Sequence, residues 1–133
     1  MIMKNKLKEK RKNTRCHIEL DGKIILSDNS SFKGKTKDLS FGGAYLYCVN
    51  SLSVPEGETC FLELTLEGTP QSSVLKFYCK IIHVNDSGVG LQFINIDIFH
   101  YEQFKNLMVF NSSDPDALLA ELEKSPGLEI KKK

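Results

Sequence analysis

The sequence predicts a mainly β fold: a six-stranded antiparallel β-barrel followed by a C-terminal α-helix and a short additional helix. Three observations lead there. Between residues 16 and 96 apolar side chains recur at every second position, the period of half-buried strands, and clusters of turn formers interrupt them. After residue 96 the period lengthens to that of an amphipathic helix. Six short strands at this spacing favour closure, because a closed barrel leaves no unpaired edge. A chain of 133 residues buries roughly two thirds of its unfolded surface, enough for one domain with its own core.

Taken in order, Cys16, Ile18, Leu20, Ile24 and Leu26 share one parity, with Gly22 among them as an expected bend or bulge, and read as one long kinked strand. Asp28-Asn29-Ser30-Ser31 is a turn cluster, so the extended stretch from Phe32 to Asp38 returns as a hairpin. Phe41-Gly42-Gly43 makes a second tight turn into a third strand, where Ala44, Leu46 and Cys48 alternate with Tyr45 and Tyr47. Residues 49–59 hold Asn50, Pro55 and Gly57 and form a loop. Cys60, Leu62, Leu64 and Leu66 face one way on the fourth strand, which ends at Gly68-Thr69-Pro70. The fifth runs from Val74 to Val84 with Leu75, Phe77, Cys79 and Ile81 inward. Asn85-Asp86-Ser87-Gly88 turns it into the sixth, with Val89, Leu91 and Phe93 inward. Asp97 caps a helix whose stripe is Ile98, Tyr101, Phe104, Leu107 and Met108, placed to pack on or plug the barrel. Asp114 and Pro115 open a second helix with Leu118, Leu119 and Leu122 as its apolar face. Ser125-Pro126-Gly127 ends it, and Lys131-Lys132-Lys133 reads as a frayed end.

Composition narrows the class. Apolar residues at 41% and charged residues at 26% exclude a disordered or collagen-like chain. No run approaches the roughly 18 apolar residues of a membrane span. Met1-Ile2-Met3 leads directly into lysines without a hydrophobic signal region, so the expected location is the cytoplasm. Cys16, Cys48, Cys60 and Cys79 form no C-x-x-C pair and have no histidine cluster beside them; they are expected to be buried thiols, with neither metal nor disulfide. The three histidines, His17, His83 and His100, are scattered and take ordinary surface or packing roles. No nucleophile, metalloprotease or phosphate-loop motif is present, so no catalytic residue is nominated and no cofactor expected.

The net charge of +1 conceals a basic arm: residues 1–15 carry seven basic side chains and one acid, leaving −5 for the rest. Such an arm is a solvated tail or a surface for phosphate-bearing partners. Two short motifs stand beside it. Arg11-Lys12-Asn13-Thr14-Arg15 sets two arginines four apart just before the first strand, and Asp38-Leu39-Ser40-Phe41-Gly42-Gly43 joins the second to the third. Each alone occurs by chance, the second being also an ordinary turn.

In this order, ahead of six strands and a helix, the pair resembles the PilZ domain family, whose members are six-stranded barrels that bind the bacterial second messenger cyclic di-GMP. The resemblance spans Lys10 to Phe110 and includes Gly88-Val89-Gly90-Leu91-Gln92-Phe93 as a family-like last strand. It implies a basic arm at 1–9, a barrel with closing helix at 10–110, and a short helix and tail at 111–133. It further implies cyclic di-GMP contacts at Arg11, Arg15, Asp38, Ser40 and Gly43, with Lys10, Lys12 and Gly42 as accessories. Phe41 and Gly42 fall at variable positions of the motif.

The residue chemistry agrees. An arginine fork meets O6 and N7 of guanine together, or two phosphate oxygens, while the neighbouring lysines raise the local potential. A carboxylate at Asp38 accepts guanine N1–H and its amino group, and Ser40 can donate or accept beside it. Gly43 would let a base lie close to the backbone. The implied protein is a non-catalytic receptor. Its arm, mobile through Arg15, would order on ligand and signal to an unidentified partner protein, with the second helix one docking candidate. There is no membrane insertion, and a homodimer is compatible. Two alternatives stand beside this reading. One is a ligand-independent interaction module. The other, less favoured, is a nucleic-acid-binding barrel that would need Tyr45, Tyr47, Phe61 or Tyr78 as a stacking platform.

Overall fold

A computed structural model of the chain describes residues 14–66, 73–124 and 127–131. The described residues form seven strands, β1 (Asp21–Ile25), β2 (Ser31–Leu39), β3 (Gly43–Cys48), β4 (Thr59–Leu66), β5 (Ser73–Val84), β6 (Gly88–Asp97) and β7 (Glu129–Lys131), with helices α1 (Ile98–Asn111) and α2 (Pro115–Lys124) between the last two. The first six pair antiparallel in the order β3-β2-β1-β4-β5-β6, and a β3–β6 pairing closes the ring. The fold is the expected mainly β, six-stranded barrel, with one strand more than the sequence disclosed. That strand, β7, lies parallel to the end of β6, pairing Asn95 to Asp97 with Glu129 to Lys131. Lys131 is therefore strand rather than frayed end; Lys132 and Lys133 lie outside the described residues.

The inward parity of each strand is the apolar one. Leu62, Leu64, Leu75, Phe77, Cys79, Ile81 and Val89 are completely buried. Phe77 and Phe93 stack at 4.2 Å, and Phe104 of α1 meets both edge-on at 5.0 and 5.8 Å, so the helix closes the barrel with an aromatic plug. Asp97 caps α1 by accepting the His100 N–H at 2.9 Å. Ile98 is nevertheless exposed and Leu107 only half-buried, so the packed stripe is Tyr101, Phe104 and Met108. Asp114 caps α2 through Ala117 N–H, and Leu118 and Leu122 are buried while Leu119 is exposed.

The first strand departs from expectation. Its parity is kept from Cys16 to Ile24, but the regular ladder spans only Asp21–Ile25. Gly22 makes no bulge: it pairs regularly with Gly34 and Leu64, and a Cβ there would press to 2.9 Å on Leu46, which shows a crowded interior. Before it, Thr36 holds the segment twice over: its backbone N–H donates to the Leu20 carbonyl at 2.9 Å, and its hydroxyl donates to the Ile18 carbonyl and accepts from Leu20 N–H. Cys16 then bridges Leu39 by two backbone hydrogen bonds of 2.7 and 2.8 Å. All four cysteines are free and buried, and among the described residues no metal-binding group occurs. No described helix is long and apolar enough to cross a membrane.

Candidate functional site

Asp38 sits at a parity that would send it into the core. Thr36, two residues earlier, faces inward, and strict alternation would make the carboxylate follow it. A register shift between Thr36 and Asp38 makes Lys37 the extra residue of a β-bulge, after which Asp38 pairs with outward-facing Tyr45 and Leu39 with inward-facing Ala44. The bulge thereby turns the carboxylate to the outer surface and Leu39 to the core.

The Cys16–Leu39 bridge sets what stands opposite. With Cys16 buried, its neighbours Arg15 and His17 face outward, His17 across from Asp38 and Arg15 across from Ser40. Arg15 Nη1 lies 4.0 Å from Asp38 Oδ2, and His17 Nδ1 lies 2.6 Å from Oδ1. That second approach lacks the alignment of a hydrogen bond, leaving Oδ1 shielded from solvent and unsatisfied. The carboxylate is only 12% exposed, the Arg15 side chain 45%. Held on both sides of Arg15, the chain is tied down earlier than expected: Thr14 N–H donates to Glu121 of α2 at 2.6 Å, and its hydroxyl bonds the same carboxylate. Arg11, Lys10 and Lys12 lie outside the described residues.

The turn that follows is closed by its own hydrogen bonds. Ser40 Oγ accepts from the N–H groups of Gly42 and Gly43, both at 3.1 Å, while Ser40 N–H donates to Gly43 carbonyl at 2.9 Å. Gly42 carbonyl accepts from Phe93 N–H, tying the turn to β6. Ser40 is thus engaged by the backbone it shapes. Gly43 has a packing reason of its own: a Cβ would stand 2.2 Å from Leu91 carbonyl, so the β3–β6 closure requires glycine here. Phe41, which sequence reading placed at a variable turn position, is fully buried at 5.1 Å from Phe104 and 6.4 Å from Tyr101. From the opposite side Gly127, at φ +91°, lies so close that a Cβ would reach 2.4 Å from Phe41 carbonyl.

At this turn opens a cleft of about 740 Å³, lined by Arg15, Asp38, Ser40, Gly42, Gly43 and Gly127 together with Ile82 and His83 of β5 and Gly90 and Gln92 of the adjoining β6. The β5 part of this lining rests on another bulge, between Ile81 and His83, which leaves both Ile82 and His83 facing outward. Sequence reading missed the β5 and β6 lining, because the bulge at Ile82 carries no glycine or proline to announce it, and missed His17, whose place is set by the Cys16–Leu39 bridge. The cleft offers a cation, a shielded carboxylate with an unsatisfied oxygen, and flat glycine backbone. Such a set suits a planar, hydrogen-bonding, phosphate-bearing ligand.

Tyr45, Tyr47, Phe61 and Tyr78 do face outward, but as two separate pairs. Tyr45 meets Tyr47 at 5.9 Å on β3, and Phe61 meets Tyr78 at 5.2 Å across β4 and β5. β3 and β4 are three strands apart whichever way the ring is followed. The four rings therefore offer no single stacking platform for a nucleic-acid strand.

The family model of the PilZ domain matches residues 9–110. Among solved structures, the chain is similar to the Bacillus subtilis inhibitor of motility MotI/DgrA, with a TM-score of 0.60 and 16% identity over 78% of this chain and 53% of that one. It thus spans about half of that protein. It is also similar to the PilZ domain of Escherichia coli YcgR, whose structure contains c-di-GMP, with a TM-score of 0.59 and 17% identity over 86% of this chain and 98% of that one. Among curated proteins no relative matches by sequence.

Proposed function

The chain belongs to the PilZ family, and from that premise we propose that it is a non-catalytic receptor for cyclic di-GMP. The observation that carries the reading is the outward-turned Asp38 carboxylate, shielded in the cleft and faced by Arg15 at 4.0 Å. A carboxylate in that setting reads the N1–H and amino edge of a guanine, and an arginine fork reads O6 and N7 or a phosphate. Arg11, with Lys10 and Lys12, supplies the second half of the clamp. Ser40 and Gly43 contribute by fixing the turn. The YcgR domain, similar in fold, was solved with this ligand.

The binding unit is residues 10–110, with 1–9 as a basic arm and α2 and β7 packed against the barrel. Ligand capture at Arg15 reaches α2 through the Thr14–Glu121 bonds, and the altered surface passes the signal to a partner protein. Isothermal titration of cyclic di-GMP into the intact chain, with GTP as control, tests the reading. Binding at about −8 kcal/mol or stronger, low micromolar or better, that is lost in Arg15→Ala supports it. No heat at high ligand concentration sinks it in favour of a ligand-independent interaction module.

A further inference from the structure

Every ligand that uses Asp38 must contend with His17. The ring is 83% exposed, and Asp38 is the polar group the described residues bring to it. Its Nδ1 stands 2.6 Å from Oδ1 while Arg15 flanks Oδ2, so both carboxylate oxygens already face a neighbour. A guanine edge needs both oxygens at once, one for N1–H and one for the amino group. Each oxygen has two lone pairs, but Oδ1 is closed to solvent and has the imidazole nitrogen 2.6 Å from it.

We propose that His17 is a gate on Asp38: the imidazole occupies the carboxylate oxygen that a guanine base must take, and it swings into solvent when the base binds. This rests on the cyclic di-GMP reading. The two flanking side chains then play opposite parts. Arg15 changes partner, from carboxylate to ligand, whereas His17 only yields. Exposure of the ring means that its release uncovers almost no apolar surface, and since no hydrogen bond ties it to Oδ1, what it sets against the ligand is its occupancy of that oxygen. Its removal is therefore expected to tighten binding by no more than about fivefold, the scale of one exposed polar contact.

The test is titration of cyclic di-GMP into the wild-type chain, His17→Ala and Arg15→Ala, with Asp38 followed by carbon NMR of its carboxylate. The expected result is about two- to fivefold tighter binding in His17→Ala at unchanged stoichiometry, loss of binding in Arg15→Ala, and a moved Asp38 carboxylate resonance in His17→Ala before any ligand is added. Because the ring is exposed, His17→Ala leaves the melting temperature near wild type, and failure to fold does not cloud the result. Weaker binding in His17→Ala overturns the gate and makes His17 a ligand contact. Equal binding, or an unmoved resonance, overturns it outright while leaving the receptor reading standing. Absence of binding in the wild type and in His17→Ala alike removes the receptor reading, and the gate with it.

Discussion

Asp38→Ala separates the two things this carboxylate could be doing. Its structural share is small: the partner Arg15 is half exposed and 4.0 Å away, which places the pair at about 1 kcal/mol or less. Removing a shielded carboxylate also relieves its desolvation cost. In a chain of 133 residues the melting temperature should therefore move by no more than about 4 °C. The share in binding is larger, since a hydrogen bond to a charged group is worth roughly 1.5–3 kcal/mol. Taking about 2–3 kcal/mol for the guanine edge as a whole gives a loss in affinity of roughly 30- to 150-fold. Thermal denaturation and titration calorimetry on the same preparation read both numbers. A variant that binds cyclic di-GMP within threefold of wild type removes Asp38 as the base reader. A fall of ten degrees or more would show that the carboxylate holds the bulge together, and that its structural share is not small.

Two further outcomes test the scaffold. Thr36→Val strips the hydroxyl that serves Ile18 and Leu20, and a buried N–H left unpaired costs about 1–3 kcal/mol. The urea midpoint should fall accordingly and the Leu20 amide exchange faster with solvent hydrogen, whereas unchanged exchange would mean that the 16–20 segment is held by something else. Phe41→Ala removes a fully buried ring against α1, with an expected loss of about 3–5 kcal/mol in chemical denaturation; a loss under 1 kcal/mol would return Phe41 to the role of a mere turn residue.

Much of this molecule is written in alternation. Leu75, Phe77, Cys79 and Ile81 are legible as one face of a strand because every second residue is apolar and the partner strands repeat the pattern. What escaped has local physical reasons. β7 is three residues long, too short for any period to show, and it exists through its parallel pairing with β6. Phe41 lies between Ser40 and two glycines, and a turn signature masks the fact that the turn folds back over the core. The bulge at Lys37 leaves no mark in composition, yet it decides that Asp38 faces the cleft rather than the interior. His17 alternates with buried neighbours like any surface residue; only the register of Cys16 with Leu39 places it across from the carboxylate. Arg15, Asp38 and Ser40 were recognisable as a motif, but the reason they converge was not, because it rests on a bridge between segments more than twenty residues apart.

The passage of Gly127 beneath the Phe41 carbonyl bears on how the protein can be cut and handled. The family match ends at residue 110, and a fragment trimmed there would lose Leu118, Leu122 and Leu128, all buried, together with the strut under the turn that lines the cleft. Its newly bared apolar seam would invite aggregation, and poor ligand capture by such a fragment would report a missing support rather than a missing specificity. The shortest piece suited to expression, or to transplanting as a sensor module, runs on through β7 to Lys131, with any reporter joined beyond it.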